Sequence, residues 1–406
     1  MTINWNDFKS PMIANGIAIL GEINALGYEA YVVGGTVRDI IMGKTEVNDL
    51  DISTNMPISE IKEKYRTIEY GGGEKHGTVI VHHGGFDYEL TQFRSDGTYS
   101  DNRRPDSVTF VSSFEEDTKR RDFTINAMGI DFAGKVIDYH GGIDDIKSGV
   151  IRTVGNAEDR FKEDCLRILR AIRFAARFDF TLTKDTIAAI RSCGSTVTNT
   201  SPERIGDEFC KMIKDGANSF SGALYLINKH GLSWVVPEID YSLASIDRLG
   251  KLNTNDVGAV FGVCIGNSAH VDSLQDRLRL DNSTARRIRF IAEKLPVVKS
   301  IIMGDDLFEA IELLLSPDGR ELIGVYLDLN HMESDSFIKR ADDLVTVAEK
   351  AVNIPNQVSE AMKEAGIRPS KEFGNMRRRI INALYICIDR GEEIDISATV
   401  ELELKR

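Results

Sequence analysis

The chain has 406 residues, a formal net charge of −13, 42% hydrophobic and 28% charged residues. That length suits two to four cores, since single cores rarely grow past about 250–300 residues, and the acidic balance argues against a protein that coats nucleic acid non-specifically. No apolar run approaches the ~18 residues of a membrane span, and MTINWNDFKSPM lacks a signal-peptide pattern. The five cysteines (Cys165, Cys193, Cys210, Cys264, Cys387) show no C-x-x-C spacing, so a reduced, cytoplasmic setting is expected.

In chain order, an apolar stretch around Ile13–Leu26 predicts a helix leading into YEAYVV, a strand rich in β-branched and aromatic residues. DLDIS reads as a second strand. GTVIVHHGGFDYELTQF reads as a hairpin turning at Gly84–Gly85, SVTFVS as a further strand, and KVIDYHGGIDDIKSGVIRTV as another hairpin-like end. The expectation for this α/β part is a small mixed sheet with helices on one face. After about residue 156 the apolar period becomes 3.6 and stays there, with Ser201 and Pro202 as a helix start and polar breaks at SPDG and NIPN. The remainder is therefore expected to be all-α. Two segments run against the net charge: residues 160–177 and 277–294 each hold six Arg/Lys against two acids. They read as solvated helix faces or as a focused nucleic-acid groove.

Asp49 and Asp51 flank Leu50 on a predicted strand, so both carboxylates share a face. Two such carboxylates, with phosphates and water, are how Mg²⁺ is commonly held. Two ions ~4 Å apart would activate an attacking oxygen and steady a leaving pyrophosphate. Glu89 and Asp87, alternating in FDYEL, are candidates for a third acid. The alternative is a surface strand with acids toward water. Gly34–Gly35 before TVRDIIMG gives a strand–bend–helix element whose backbone N–H groups can approach phosphate, with Arg38 one turn on. No G-K-[ST] follows, and Gly71–Gly73 lack the flanking pattern, so this is not a Walker loop. His76, His82 and His83 have no partner at metal-ligand spacing and read as loop or strand-surface residues.

In EDCLRILRAIRF, Asp164 and Arg167 stand three apart on one predicted helix face, continued by Arg170 and Arg177. Ile168, Leu169, Ile172 and Ala176 form a separate stripe for burial. A fixed acceptor beside a fixed donor suits cytosine and adenine, which present an amino donor next to a ring-nitrogen acceptor. It rejects uracil and guanine. The plainer alternative is a surface salt bridge. Arg121 and Asp122 in RRDFTINAM could hydrogen-bond a ribose edge or form a structural ion pair.

GGTVRDIIMG…NDLDIS, HGTVIV…YELTQFR, YSDNRRPDSVTF, RRDFTINAM, EDCLRILRAIRFAARF and ERIGDEF follow in an order that resembles the nucleotidyltransferase branch of bacterial-type (class II) CCA-adding enzymes and bacterial poly(A) polymerases. The likeness runs from residue 28 to about 213. It implies a nucleotidyltransferase head (1–155), a base-recognising helical neck (156–215), a helical body (216–335) and a tRNA-binding helical tail (336–406). It implies template-independent addition of CCA to tRNA from CTP and ATP with Mg²⁺, Asp49 and Asp51 as metal ligands and Glu89 as the third catalytic acid. Arg121 and Asp122 would face the ribose, Asp164 and Arg167 the base, and Gly34, Gly35, Arg38, Arg170 and Arg173 the nucleotide's phosphates. Glu203, Arg204 and Glu208 of ERIGDEF would brace the neighbouring arginines. RSDGTYSDNRRP (94–105) resembles a segment that helps the switch from C to A in CCA-adding relatives. Gln92 departs from the threonine more usual in that strand and leaves its facing open, and no His-Asp dipeptide of a fused phosphohydrolase occurs. Arg286, Arg287 and Arg289 in RLRLDNSTARRI are the candidate tRNA contacts, with no protein partner implied. Poly(A) polymerase, CC-adding and A-adding activities are the enzymatic alternatives, and an RNA chaperone on this fold is the non-enzymatic one.

Overall fold

The computed structural model describes residues 1–47, 49–68, 77–97, 107–304, 306–316, 318–330, 335–368 and 370–405. His76, Gly71–Gly73 and residues 98–105 of the proposed switching segment lie outside them. The chain separates into two compact units: Met1–Met212 with Gly222–Val235, and Ile213–Ser221 with Val236–Arg406.

The first unit begins with helix Pro11–Ala25, which has proline in its first turn and buries Ile13, Ile19, Leu20 and Ile23. Gly16 is required there: a Cβ at that position would meet Leu50 at 2.2 Å. The strands are β1 (Ala30–Val33), β2 (Asp51–Thr54), β3 (Arg66–Ile68), β4 (Thr78–His83), β5 (Phe86–Gln92), β6 (Arg94–Asp96), β7 (Val108–Phe110), β8 (Met128–Ile130) and β9 (Val136–Asp138). Seven of them form one sheet in the order β3-β4-β5-β2-β1-β8-β9. Its pairs are antiparallel except β2–β5, which is parallel and sets Asp51 opposite Glu89. The sheet is mixed, as expected. The β4–β5 hairpin turns through Gly84 and Gly85 at φ +59° and +86°, the left-handed pair that a two-residue loop demands.

Three local expectations need correction. SVTFVS does not join the main sheet, because β7 pairs only with β6 in a separate ribbon. Residues 135–154 do not make a hairpin. Asp138 accepts backbone N–H bonds from His140, Gly142 and Ile143, which starts helix Gly142–Ser148 directly after β9. The next strand, β10 (Val150–Ile151), then pairs in parallel with β11 (Thr181–Leu182). Finally, EDCLRILRAIRF is not one helix. Helix Ala157–Glu163 stops, Asp164 is extended at φ −143°, and helix Leu166–Phe178 starts afresh from Cys165.

The new helix buries Ile168, Leu169 and Ile172 as the apolar stripe requires, with Ala176 at its margin. Helices Lys184–Cys193 and Pro202–Lys214 follow. The regular secondary structure among the second unit's described residues is all helix. Helix Val257–Ile265 crosses Asn282–Lys294 closely enough that a Cβ on Gly262 would lie 2.6 Å from Ile291. No helix among the described residues is long and apolar enough to cross a membrane.

Candidate active site

Strand β2 begins at Asp51, and Asp49 lies in the exposed lead-in where the sequence pattern had placed a strand. Leu50 turns into the core, so the two acids still flank it on the outer side. Thr36 fixes this lead-in by donating its hydroxyl to the Asp49 carbonyl at 2.7 Å. On β5, Tyr88 and Leu90 are buried and Glu89 is exposed. Gln92 shares the buried face and accepts weakly from the Ile58 N–H at 3.4 Å, which settles the strand's facing. The register sets Glu89, and not Asp87, opposite Asp51, while Asp87 contacts its own register partner His82 at 2.8 Å.

Burial, then Asp49, then Glu89 push the Asp51 carboxyl up to about 7, against a downward pull from Arg121. Burial and Asp49 likewise raise Glu89. Crowded carboxylates of this kind suit a hard divalent cation, which takes oxygen ligands. Among the described residues no three acids already stand at coordinating distance from one point. The donor chemistry of Asp49, Asp51 and Glu89 nevertheless fits a hard divalent cation.

Asp51 opens onto a cavity of about 490 Å³ that also takes in Gly34, Gly35, Arg38, Arg121, Asp122, Asp164, Arg167, Arg170 and Arg173. Gly34 turns at φ +76°, and a side chain on it would approach Asp51 Oδ2 to 3.5 Å. That distance is an ordinary contact, so the bend needs glycine for its backbone conformation and not for room beside the acid. Helix Gly35–Ile41 follows at once and carries Arg38. That guanidinium is buried, bonded to Asp39 and Asn126, and lies 5.3 and 4.6 Å from the Phe174 and Phe178 rings.

Asp164 and Arg167 line the cavity without pairing to each other, so the surface salt-bridge alternative fails. Arg204 grips Asp164 with two parallel bonds of 3.0 and 2.8 Å, and the Leu166 N–H donates to Oδ1 at 3.2 Å. Arg167 donates Nη1 to Glu163 and the Arg160 carbonyl, and Nη2 to the Arg120 carbonyl. Glu208, fully buried, pairs with Arg173. Glu208 thus holds a neighbouring arginine as expected, whereas Arg204 braces the aspartate Asp164 and not an arginine.

Arg121 bonds Ser53 at 3.1 Å and Asp117 at 3.0 Å, which brings its charge to the Asp51 side of the cavity. Asp122 accepts from the Phe123 N–H and Asn126 on Oδ1, and from Arg170 on Oδ2. Burial opposes its ionisation, but Arg170 and then Asn126 outweigh that and hold the carboxyl down at about 2. Thr36, Ser53, Asp117 and Asn126 are the site residues that sequence reasoning missed. Thr36, Ser53 and Asn126 carried a signal, sitting inside GGTVRDIIMG, NDLDIS and RRDFTINAM, whereas Asp117 did not.

The second unit has a larger cavity, about 1120 Å³, lined by Lys214, Asp256, Arg286, Arg287 and Asp318 among others. Arg287 is held by Asp256, Asp318 and Glu321, and Arg289 by Asp272. Arg286 is exposed on the cavity wall with no ion pair among the described residues.

A family model described as "Poly A polymerase head domain" matches residues 30–152, and one described as "Probable RNA and SrmB- binding site of polymerase A" matches residues 179–243. The CCA-adding enzyme of Ligilactobacillus salivarius is 46% identical over 403 residues, covering 93% of this chain and 96% of the relative. The chain belongs to the CCA-adding enzyme family. The match to the family member from Geobacillus thermodenitrificans, 45% identical over 229 residues, spans 56% of this chain and only 55% of that relative's length. The crystal structure of the Bacillus stearothermophilus CCA-adding enzyme in complex with CTP superposes with a TM-score of 0.74 at 28% identity, covering 98% of both chains. Its likeness extends the family's architecture over both units of this chain.

Proposed function

We propose that the chain adds C, C and A in turn to the 3′ end of tRNA, using CTP and ATP without a nucleic-acid template. The observation that carries this reading is a single cavity shared by Asp51, the Gly34–Gly35 bend, Asp164 and Arg167. Acids that would hold metal, a phosphate-sized bend and a base-sized hydrogen-bonding pair therefore face the same space.

The existing bonds leave a definite reading edge. On Asp164, Oδ1 already accepts two hydrogen bonds and Oδ2 one, so Oδ2 keeps a free acceptor site. On Arg167, Nη1 is fully committed and Nη2 half committed, leaving Nε–H and one Nη2–H to donate. One acceptor beside one donor meets the amino group and ring nitrogen of cytosine or adenine. Uracil and guanine would set donor against donor and acceptor against acceptor, at a cost of about 1–3 kcal/mol per unsatisfied group. Arg170 retains Nη1 for the triphosphate, while the Gly34–Gly35 backbone approaches it from the other wall.

Asp49, Asp51 and Glu89 would hold Mg²⁺, which when bound favours the ionised primer hydroxyl and offsets charge on the leaving pyrophosphate. The primer's 3′ oxygen forms its bond to the α-phosphorus as the bond to pyrophosphate breaks. Arg121, bonded to Ser53 next to Asp51, adds positive charge at that end of the cavity. The four-part division into head, neck, body and tail, with tRNA held by the helical parts through residues such as Arg286, belongs to the same reading. So does a cytoplasmic location.

A poly(A) polymerase is the second reading, favoured by the description of the head-domain model. Extending a tRNA that ends at its discriminator base separates the two. CTP alone is expected to add two residues, ATP alone essentially none, and both together three. Long A tails on arbitrary RNA would establish the second reading instead.

A further inference from the structure

Between Arg38 and Asp122 lies a side chain that the reading above leaves without a role. Asn126 ends the short turn Thr124–Asn126 and is 8% exposed. Its amide oxygen accepts from Arg38 Nη1 at 2.7 Å, and its amide nitrogen donates to Asp122 Oδ1 at 3.1 Å. The opposite amide orientation would set N–H against guanidinium and oxygen against carboxylate, so the two charges dictate this one. A side chain that accepts at one end and donates at the other is what a cation and an anion require between them. Aspartate would suit Arg38 and repel Asp122; leucine would serve neither.

All four acceptor sites of Asp122 are filled: the Phe123 N–H and Asn126 on Oδ1, and Arg170 Nε and Nη2 on Oδ2. A ribose hydroxyl must therefore displace one donor. Asn126 is locked by Arg38, and the Phe123 N–H belongs to the backbone. Arg170 is the exchangeable partner, since its side chain is 30% exposed at the cavity wall. We infer that Asn126 is the positioning residue for sugar selection: it keeps Asp122 aimed while Arg170 turns to the triphosphate and surrenders Oδ2 to the 2′-hydroxyl. Sugar and phosphates are then recognised together, because the incoming phosphate is what uncovers the ribose acceptor. This rests on the reading that Asp122 faces the ribose.

The test measures single-turnover incorporation of CTP and dCTP by the full chain on tRNA lacking its terminal CCA. Asn126→Leu should lower the CTP-over-dCTP preference about tenfold or more, the scale on which an unpaired buried polar group discriminates. Asn126→Asp should show a similar loss at pH 8. Relative to wild type at each pH, it should recover toward pH 6, because a protonated carboxyl restores one acceptor and one donor. Asn126→Leu should not recover. A preference kept within about twofold in Asn126→Leu, or a pH-independent deficit in a folded Asn126→Asp, overturns the inference. Asp122→Asn separates the layers: if it collapses the preference while Asn126→Leu does not, the positioning role alone fails. If Asp122→Asn leaves the preference intact, the ribose reading fails with it.

Discussion

Arg204 is the strongest handle on base choice that touches neither nucleotide nor metal. It holds Asp164 through two parallel charge-assisted bonds of 3.0 and 2.8 Å, with side chains 22% and 16% exposed. Charge-assisted bonds contribute about 1.5–3 kcal/mol when buried. With roughly a fifth of each side chain wet, water replaces part of the loss, and about 2 kcal/mol in total is a fair expectation for Arg204→Ala. At 1.4 kcal/mol per factor of ten, that is a fall of roughly 30-fold. The loss should concentrate in selectivity, because an unheld Asp164 can turn its free Oδ2 away from the base. Single-turnover incorporation on tRNA lacking CCA, with CTP and UTP in parallel, reads the ratio directly. Arg204→Ala should lower the CTP-to-UTP ratio about 10- to 30-fold, and Arg204→Lys, which keeps the charge but not the fork, should lower it less. If CTP and UTP incorporation fall together with the ratio unchanged, the grip on Asp164 does not set base choice.

Asp51→Asn should cut incorporation by about 10³-fold or more, as removal of an acting group does. Its unfolding midpoint should stay level or rise, because one of three crowded acids is gone. Retained tRNA binding would accompany this loss, whereas a wild type as inert as the variant with Mg²⁺ present would favour a binding protein. Chelation should stop wild-type incorporation, and added Mg²⁺ should raise the melting temperature of wild type more than that of Asp51→Asn. Asp122 provides a pH test of stability. Its carboxyl is held at about 2 against the ordinary 3.8, a difference of about 2 kcal/mol. The unfolded chain therefore binds the proton first, and this stability is full above about pH 4 and lost as pH falls toward 2. Urea midpoints for wild type and Asp122→Asn should converge between pH 5 and pH 2, and a gap independent of pH would contradict the ion pair.

The elements legible in the sequence were those that a local rule determines. A two-glycine loop between alternating runs can close in few ways, and Gly84–Gly85 did so. Asp51 and Glu89 came from an alternating pattern that left their side chains on the outer face, and the parallel pairing of β2 with β5 brought them opposite. What escaped was decided at long range. The break at Asp164 interrupts a strong helical period because Arg204, forty positions on, and the Leu166 N–H both bind its carboxylate. Asp138 diverts the chain into a helix where the apolar pattern suggested a return strand. Arg173 carried the right charge but spends it on buried Glu208, and Arg287 on three acids. Composition counts such cations without showing which are already neutralised. Arg286 is exposed on its cavity wall and has no ion pair among the described residues.

The most direct measurement is the identity of the nucleotide that Asp164→Asn incorporates. Replacing a carboxylate oxygen by an amide N–H turns the free acceptor into a donor that matches uracil's carbonyl. The CTP-to-UTP ratio should fall toward one, mainly through loss of CTP incorporation, because Arg167 still sets a donor against uracil's N3–H. A variant that is merely slower, and still prefers CTP as strongly, would show that the base is chosen by something other than this pair of side chains.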